Sequence, residues 1–318
     1  MNSRSHTEPT LSVSGGIGNQ LFQLAAGIAL SKNRRLLVEA SLRDPRARID
    51  LTIEIQQYEW PISVEFLPMQ NFAWLERKLR NYLLRLSSYK TVKNLDFYLN
   101  SLKIEVISKL LSHIFWRGSR IQVCRGVGYD EKLTSDISLF IGYFQSAKWV
   151  AQEEIADLFR NLKLRTEPHW LTKLRADAVY EKPIILHMRL GDYKNEQTFG
   201  IPHASYYESA VLKLWETRKF KRIWIFSDEI NLAVQRLPQW IIDNSRLITE
   251  GQNAPAATIE AMRLGCAYVI SNSTFGWWGA YLSHNENVPV IAPSPWFKGR
   301  EEPLGIIPEN WIRKDAWE

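Results

Sequence analysis

The second half of the sequence alternates between short apolar segments and longer amphipathic ones, and this alternation restricts the folds open to the chain. Strands are predicted at 184–188, 222–227, 246–249, 267–271 and 288–292, with helices between them at 204–218, 230–236, 254–264 and 276–283. The first strand contains an uninterrupted apolar run, as strands buried in a parallel sheet do. Strands that alternate with helices of this length form a parallel, doubly wound sheet. The sequence therefore predicts an α/β fold.

The first half begins in the same way. A short strand at 10–14 leads into a glycine-rich turn, and an apolar helix at 19–32 and a second strand at 35–40 follow. This order is typical of a βαβ unit. The chain therefore starts a separate sheet before residue 183.

A chain of 318 residues is long enough for two hydrophobic cores. Because each half starts its own sheet, we predict two domains, 1–165 and 166–318, with the boundary near 162–182. The last segment, 296–317, is rich in Trp and Pro. We expect it to return toward the domain junction and to pack there without forming sheet.

Positive charge is concentrated in one segment. The formal net charge is +6, and residues 73–120 alone hold ten Lys or Arg against three Asp or Glu. Apolar residues recur there at helical spacing among basic ones: Trp74, Leu75, Leu79, Tyr82, Leu83 and Leu86 among Arg77, Lys78, Arg80 and Arg85. A second stretch, 99–116, has the same character.

This basic insertion has two interpretations. It is either a helical hairpin packed on its own domain with a solvated basic face, or a peripheral contact with an anionic membrane. A nucleic-acid partner is not expected, because no recognition motif accompanies the charge.

Other features concern location. No run of about 18 apolar residues is present, so no spanning helix is expected, and the polar start of the chain is unlike a signal peptide. Cys124 and Cys266 lie far apart and form neither a disulfide framework nor a metal pattern. We expect a cytoplasmic protein, either free or bound at the inner face of the membrane.

Candidate site residues follow the strand at 184–188. His187, Arg189 and Asp192 lie at its carboxyl end, with Gly191 in the turn between them. Ligands of open α/β sheets bind outside the carboxyl ends of strands, and a guanidinium is a planar fork suited to phosphate oxygens. The alternative is an ordinary exit loop held by a salt bridge.

The glycine turn near the start of the chain is a second candidate. Gly15, Gly16 and Gly18 precede a helix, but neither a Walker motif nor a complete dinucleotide fingerprint is present. The turn presents a helix N-terminus, where backbone N–H groups and the helix dipole favour an anion. The alternative is a tight turn in which Asn19 caps the helix.

Two further segments carry polar residues in suitable places. Asp228 and Glu229 follow a strand, where they contact a ligand or form a helix N-cap cluster. Ser273 and Thr274 precede a helix and form another possible phosphate cradle. Glu260 lies on the helix at 254–264, where it either reaches the cleft or, as we expect, lies on the helix surface.

Four of these stretches together resemble a known family. Gly15-Gly16-Ile-Gly18-Asn19-Gln20, His187-Met-Arg189-Leu-Gly-Asp192-Tyr193, Phe226-Ser-Asp228-Glu229 and Ser273-Thr274-Phe275-Gly-Trp277-Trp278 occur in the order found in the α-1,2-fucosyltransferases of glycosyltransferase family 11. The resemblance covers roughly residues 11 to 297. It implies a GT-B fold, with two Rossmann-like, doubly wound domains that face a cleft. The first domain would shape the acceptor side, and the second would bind the GDP-sugar.

The resemblance also implies roles for individual residues. Arg189 would stabilise charge on the leaving β-phosphate, and Asp192 would be either the general base or the group that orients Arg189. The other substrate-binding candidates are Gly16, Gly18 and Asn19 at the glycine turn, His187 and Asp228 near the nucleotide, and Asn272, Ser273 and Thr274 in the phosphate cradle. Leu190 and Glu229 depart from the family's usual Arg and Asp.

The resemblance implies an inverting enzyme that moves L-fucose from GDP-β-L-fucose to a galactoside hydroxyl in α-1,2 linkage. The acceptor would be an oligosaccharide or a lipid-linked glycan of bacterial surface polysaccharide such as O-antigen. No cofactor and no metal are expected, since an Asp-x-Asp pair and other metal spacings are absent from the sequence. The alternatives are an α-1,6-fucosyltransferase, another GDP-sugar transferase, and a non-catalytic protein that binds a sugar nucleotide or glycan.

Overall fold

The computed structural model describes residues 8–40, 53–67, 74–87, 95–136, 138–196, 198–217, 219–285 and 287–317, the side chains of 95–98 excepted. These residues form two units. Unit 1 extends to Leu162 and includes Pro303–Ile306, and unit 2 consists of Lys163–Glu302 and the chain from Ile307 onward. Each unit is built on one parallel sheet.

Unit 1 has five strands and four α-helices among its described residues. They are β1 (Thr10–Ser12), α1 (Ile17–Ser31), β2 (Leu36–Glu39), β3 (Val64–Phe66), α2 (Trp74–Ser87), α3 (Leu95–Phe115), β4 (Ile121–Val123), β5 (Leu139–Ile141) and α4 (Glu153–Arg160). Short 3₁₀ helices cover Glu54–Gln57 and Ala147–Trp149. The predicted helix at 19–32 begins two residues earlier, at Ile17, because Gly16 and not Asn19 is its N-cap.

The sheet of unit 1 has the strand order β3-β2-β1-β5-β4, with all pairs parallel. β1 lies in the middle, where Leu11 is opposite Val38 on one side and Phe140 on the other. Helix α1 packs closely on this sheet. A side chain at Gly27 would begin 3.0 Å from Leu36 and 3.2 Å from Leu11, so a glycine at that point permits the close approach.

The basic insertion forms two helices that pack on unit 1. α2 contacts α3 and the strands β4 and β5, and α3 contacts β4. Leu83 and Leu86 are buried in this cluster, and Leu79 packs against it. The hairpin interpretation is therefore correct for these side chains. Among the helices that the structure describes, none has both the length and the apolar character needed to cross a bilayer.

Arg80 differs from its prediction. The periodicity places it on a solvated basic face, but the side chain is fully buried and forms ion pairs with Glu39, at the end of β2, and with Glu76. Its guanidinium also faces the Trp116 ring. A charged side chain is buried in this way when carboxylates accompany it, and one of these carboxylates belongs to a distant strand.

Unit 2 has six strands and six α-helices among its described residues. They are α5 (His169–Glu181), β6 (Ile184–Met188), α6 (Ala204–Trp215), β7 (Ile223–Ser227), α7 (Ile230–Arg236), α8 (Gln239–Asp243), β8 (Ser245–Leu247), α9 (Pro255–Met262), β9 (Ala267–Val269), α10 (Thr274–Tyr281), β10 (Val290–Pro293) and β11 (Ile312–Lys314). The regular alternation predicted from position 183 onward is confirmed.

The sheet of unit 2 has the order β8-β7-β6-β9-β10-β11, and its pairs are parallel. Numbered along the chain, this is 3-2-1-4-5-6, the order of dinucleotide-binding folds. β6 is central, and Leu186 lies opposite Ile225 and Val269. All five residues of β6 are buried, which explains its apolar run.

The predicted α/β fold with two doubly wound sheets, the GT-B type, is confirmed. The chain contains two parallel sheets, and helices lie between most of the strands that follow one another in the sequence. The cleft between the two domains concerns their mutual arrangement and stays a prediction.

The carboxyl-terminal segment corrects one expectation. It was expected to form no sheet, but Ile312–Lys314 is the edge strand β11 and pairs with β10. Pro303–Ile306, also in this segment, belongs to unit 1, where Leu304 accepts a hydrogen bond from Tyr129 and Gly305 from Ala147.

Candidate active site

The loop that follows β6 is held by the first residue after β7. The Asp228 carboxylate accepts hydrogen bonds from the backbone N–H groups of Leu190, at 2.9 Å, and of Gly191, at 3.0 Å. A side chain at Gly191 would begin 2.7 Å from Asp228 Oδ2, so this close approach requires a glycine. Asp228 thus fixes the shape of the loop that carries Arg189.

Arg189 is oriented by two carboxylates. Its Nε donates to Asp192 Oδ1 at 2.9 Å and lies 3.3 Å from Asp228 Oδ2. Among the described residues, neither terminal nitrogen has a hydrogen-bond or ion-pair partner, and 34% of the side chain is exposed. The outer end of the guanidinium fork therefore keeps its capacity to donate hydrogen bonds.

Arg189 also stays charged. Burial acts to lower the pKa of its guanidinium, but the negative charges of Asp228 and Asp192 outweigh burial and raise that pKa. A fixed, fully charged fork is the group that binds phosphate oxygens in pairs. The alternative interpretation of this loop, an exit loop held by a salt bridge, is correct in that the salt bridge is present. The salt bridge holds the guanidinium by its Nε and does not cover its outer end.

His187 lies beneath this loop. It is 4% exposed, its Nδ1 is 3.1 Å from Ser271 Oγ, and its ring stacks on Phe275. Burial lowers the pKa of the imidazole to about 4, with Asp228 opposing the shift and Arg189 adding to it. His187 is therefore neutral at physiological pH. A side chain at Gly276 would begin 2.5 Å from Nδ1, so Gly276 allows the start of α10 to approach the ring.

The segment between β9 and α10 completes this edge of the sheet. Ser273 is the N-cap of α10 and accepts a hydrogen bond from the Phe275 N–H, and Thr274 is the first residue of the helix. The Asn272 amide donates to the carbonyls of Phe199 and Gly200, and Oδ1 of Asn272 is buried without a hydrogen-bond partner. Trp277 and Trp278 are fully buried under this cap.

These residues share one place in the sheet. β6 and β9 are neighbours, although they are not consecutive strands, and β7 lies on the other side of β6. The strand order reverses between β6 and β9, and ligands of such sheets bind at the carboxyl ends of the strands beside this point. The structure thus brings together seven of the ten predicted site residues: His187, Arg189, Asp192, Asp228, Asn272, Ser273 and Thr274.

The other three predicted residues, Gly16, Gly18 and Asn19, lie in unit 1. Gly15 has a φ of +72°, and a side chain there would begin 2.5 Å from Asn19 Nδ2. Asn19 accepts a hydrogen bond from Gln145 Nε2 at 2.9 Å. The turn connects β1 to α1 at the point where the strand order of the unit 1 sheet reverses, between β1 and β5.

Two glutamines that sequence reasoning missed hold this turn. Gln20 donates to the Gly15 carbonyl, and Gln23 hydrogen-bonds to Ser14 and to the Gly142 carbonyl beyond β5. Both are fully buried. Helical periodicity could have identified both glutamines, because it places their amides on the face of the helix whose other residues are apolar and buried.

Glu54 is a third missed residue. The 3₁₀ helix Glu54–Gln57 places its carboxylate at the N-terminus of α1, where it accepts a hydrogen bond from the Ile17 N–H. Burial raises the pKa of this carboxyl, and the hydrogen bond opposes the shift without cancelling it. No motif marks this segment in the sequence.

Glu260 was expected on a helix surface, and this expectation is wrong. It is buried and forms ion pairs with Arg263, at 2.8 Å, and with Arg175, at 3.6 Å. Within the residues that the structure describes, no group of three or more His, Cys, Asp or Glu could hold a metal ion.

Comparison with known proteins identifies the family. A model described as glycosyl transferase family 11 matches residues 142–313, more than half of the chain and most of unit 2. The chain belongs to glycosyl transferase family 11. This confirms the family assignment made from the four motifs.

Two relatives are similar to nearly the whole chain, and a solved structure was also compared with it. An Escherichia coli protein named alpha-1,2-colitosyltransferase is 22% identical over 320 residues, 95% of this chain and 97% of the relative. Another, the O-antigen biosynthesis glycosyltransferase WbnK of Escherichia coli, is 26% identical over 94% of this chain and 98% of its own. A crystal structure of NodZ alpha-1,6-fucosyltransferase soaked with GDP-fucose has a TM-score of 0.46 at 14% identity, over 91% of this chain and 95% of that one.

Proposed function

We propose that this family 11 glycosyltransferase moves L-fucose from GDP-β-L-fucose to a galactoside hydroxyl in α-1,2 linkage, with inversion at the anomeric carbon. Unit 2 binds the donor through the edge formed by β6, β7 and β9, and unit 1 binds the acceptor near the glycine turn. The acceptor is an oligosaccharide or lipid-linked glycan. The name of the relative WbnK supports a place in O-antigen synthesis.

One observation carries the proposal. The Arg189 fork is held by Asp192 and Asp228, and its two terminal nitrogens have no hydrogen-bond or ion-pair partner among the described residues. Cleavage of a sugar–diphosphate bond leaves negative charge on the departing β-phosphate, and a preorganised donor pair stabilises charge that develops there. The N-terminus of α10 adds backbone N–H groups and a favourable dipole on the same edge. This arrangement does the electrostatic work without a divalent metal.

Two residues then have positioning roles in the donor site. Asp228 holds the loop, and Asp192 holds the Arg189 Nε. His187, neutral and buried, supports the start of α10 from below. The remaining donor contacts of the proposal are Ser273 and Thr274, with Asn272 fixing the neighbouring loop.

A second donor sugar has support from the name of a relative. One relative is called alpha-1,2-colitosyltransferase, so colitose is the alternative sugar with the same linkage. The experiment is to measure GDP release from GDP-fucose, GDP-colitose and other GDP-sugars with a panel of galactosides, and to determine the linkage of each product. Transfer of fucose in α-1,2 linkage is expected. A 1,6-linked product, preference for another sugar, or GDP binding without turnover would replace the proposal by the corresponding alternative.

A membrane contact belongs to the same proposal, and one surface of α3 favours it. Five large apolar side chains recur every three or four residues and are exposed: Leu99, Leu102, Val106, Leu110 and Ile114. This spacing puts them on one face of the helix. Lys103, Lys109 and Arg117 are exposed on the same helix or just beyond it. An apolar stripe with basic neighbours fits an anionic lipid surface.

A further inference from the structure

We infer that Tyr193 is a positioning residue of the donor site, which fixes the distance between the Arg189 guanidinium and the N-terminus of α10. The inference rests on the proposed function, in which these two groups together stabilise the departing β-phosphate. It concerns unit 2 alone, because every residue that carries it lies in that unit.

The need for such a residue follows from where the sheet ends. β6 and β9 are paired neighbours, and the hydrogen bonds between their chains continue to the Ser271 N–H, which donates to the His187 carbonyl at 3.1 Å. Beyond this point the chain after β6 becomes the loop that carries Arg189, whereas the chain after β9 leads into α10. The two groups that would bind the phosphate thus lie outside the strands, and their spacing depends on contacts other than the ladder of the sheet.

Tyr193 joins these two segments. It lies in the short 3₁₀ helix Asp192–Asn195, and its hydroxyl donates to the carbonyl of Asn272 at 3.0 Å. Asn272 directly precedes Ser273, the N-cap of α10. A hydrogen bond to this carbonyl therefore holds the peptide that leads into the helix, and with it the backbone N–H groups of the first turn, which have no partner within the helix.

The same side chain flanks Arg189. The centroid of the Tyr193 ring lies 6.0 Å from Arg189 Cζ, and Asp192 and Asp228 hold the same guanidinium by its Nε. An aromatic ring at this distance attracts a cation. Tyr193 thus contacts Arg189 through its ring and the segment before α10 through its hydroxyl.

Tyr193 is itself held by packing. Its ring packs on Phe199, with 5.0 Å between the ring centroids, and Phe199 stacks on Phe297. The Arg300 guanidinium lies 4.6 Å from the centroid of the Phe199 ring. The Asn272 amide also donates to the Phe199 carbonyl at 2.8 Å, so the segment before α10 is tied to this loop by a side chain as well as by a carbonyl. A binding site keeps its geometry when packing and hydrogen bonds lock the residues around it in this way.

The test compares the binding of GDP and GMP, because only GDP carries the β-phosphate that both groups are proposed to bind. Tyr193→Phe keeps the ring and removes the hydrogen bond to Asn272. We expect this variant to bind GDP about three- to tenfold more weakly than the wild-type protein, the usual effect of one hydrogen bond, and to bind GMP within about twofold. Calorimetry measures both affinities. Tyr180→Phe, at a tyrosine that is 76% exposed on α5, is the matched control and should bind both nucleotides like the wild-type protein.

A double-mutant cycle separates positioning from a local structural effect. If Tyr193 acts by setting the distance between Arg189 and α10, that distance no longer matters once the guanidinium is removed. In the background of Arg189→Ala, Tyr193→Phe should therefore change the affinity for GDP by less than about twofold. Circular dichroism checks that each variant is folded.

The possible outcomes are distinct. Equal weakening of GDP and GMP binding would mean that the hydroxyl supports the loop in general and does not set the phosphate site, which overturns the assignment. A GDP affinity within twofold of wild type, or a loss of the same size with and without Arg189, would also overturn it. If the wild-type protein binds GDP no more tightly than GMP, the proposed donor site fails and this inference fails with it, and the wild-type measurement alone shows which has happened.

Discussion

Among single residues, Arg189 has the environment that matters most for the proposed chemistry. A guanidinium that two carboxylates hold by its Nε has little freedom left, so its outer nitrogens are preorganised for two phosphate oxygens. A lysine ammonium cannot reproduce this geometry, because it is a single point charge on a flexible stem.

We therefore expect Arg189→Ala to lower kcat by a factor of about 100 or more, a loss of roughly 3 kcal/mol in transition-state stabilisation. Arg189→Lys should restore little of it. Arg222→Ala, an exposed arginine of the same unit, is the control and should be fully active. Steady-state kinetics with the preferred GDP-sugar and circular dichroism measure the effect and the fold. Near-normal turnover of the alanine variant would remove Arg189 from the site.

His187 makes stability depend on pH. Its pKa is about 4 in the folded protein and near 6.5 when unfolded, so between these values the unfolded state binds the proton and the folded state does not. Its contribution to stability is complete above about pH 6.5 and is lost as the pH falls toward 4. The loss reaches at most about 3 kcal/mol across this window.

The measurement is the free energy of urea unfolding between pH 7 and pH 4.5, for the wild-type protein and His187→Asn. The variant should lose less stability on acidification. His284 also has a pKa lowered to about 4, mainly by burial, but it is present in both proteins and cancels in the comparison. The exposed His169 provides the control variant His169→Asn. Equal slopes for all three proteins would contradict the burial of a neutral imidazole.

Among the secondary-structure elements, α2 is anchored to unit 1 by a buried charge. Arg80 links its helix to Glu39 at the end of β2 and to Glu76 one turn earlier. Removal of one partner from such a cluster leaves uncompensated charge inside the protein, and this costs about 3–5 kcal/mol.

Arg80→Ala should therefore reduce the free energy of unfolding by about 3–5 kcal/mol in a denaturant titration. Lys103→Ala, at an exposed position of α3, should change it by less than about 0.5 kcal/mol. If the two variants are equally stable, the cluster does not hold α2 in place.

Helix α3 has an apolar stripe exposed opposite its packed face, and this stripe is the element that the membrane proposal depends on. We expect the protein to co-sediment with phosphatidylglycerol vesicles at low salt and to be released as salt rises, at about 1 kcal/mol per basic side chain near the surface. Val106 is 64% exposed in the centre of the stripe, so Val106→Glu should weaken sedimentation.

Val179→Glu is the matched control, because Val179 is 70% exposed on α5 of unit 2, away from the stripe. It should sediment like the wild-type protein. If the wild-type protein stays in the supernatant with anionic vesicles, the stripe does not bind lipid and the membrane contact should be abandoned.

For the whole molecule, the proposed function assigns stabilisation of the donor phosphates to Arg189 and to the N-terminus of α10, and it assigns no step to a divalent ion. Activity should therefore survive dialysis against EDTA with less than a twofold change in kcat. A loss that Mn²⁺ or Mg²⁺ restores would show that a metal acts at the diphosphate.

Much of this molecule could be predicted from the sequence. Hydrophobic periodicity placed the strands and helices of unit 2, because a strand buried on both faces must be apolar throughout, as β6 is. The polar residues after β6 and β7 and before α10 could be predicted to share one edge, because the carboxyl ends of parallel strands lie on the same side of a sheet. The four motifs also identified the family.

The tertiary structure decided what local patterns do not contain. The edge strand Ile312–Lys314 was missed, because three residues that are exposed or half-buried become a strand only by pairing with β10. Periodicity predicts a solvated Arg80, but the fold brings Glu39, 41 positions away in the sequence, next to its side chain. No local pattern marks Glu54, because only the tertiary fold brings its carboxylate to the start of α1. Sequence determines which elements form through local periodicity, whereas the partner of each charged side chain depends on contacts between distant parts of the chain.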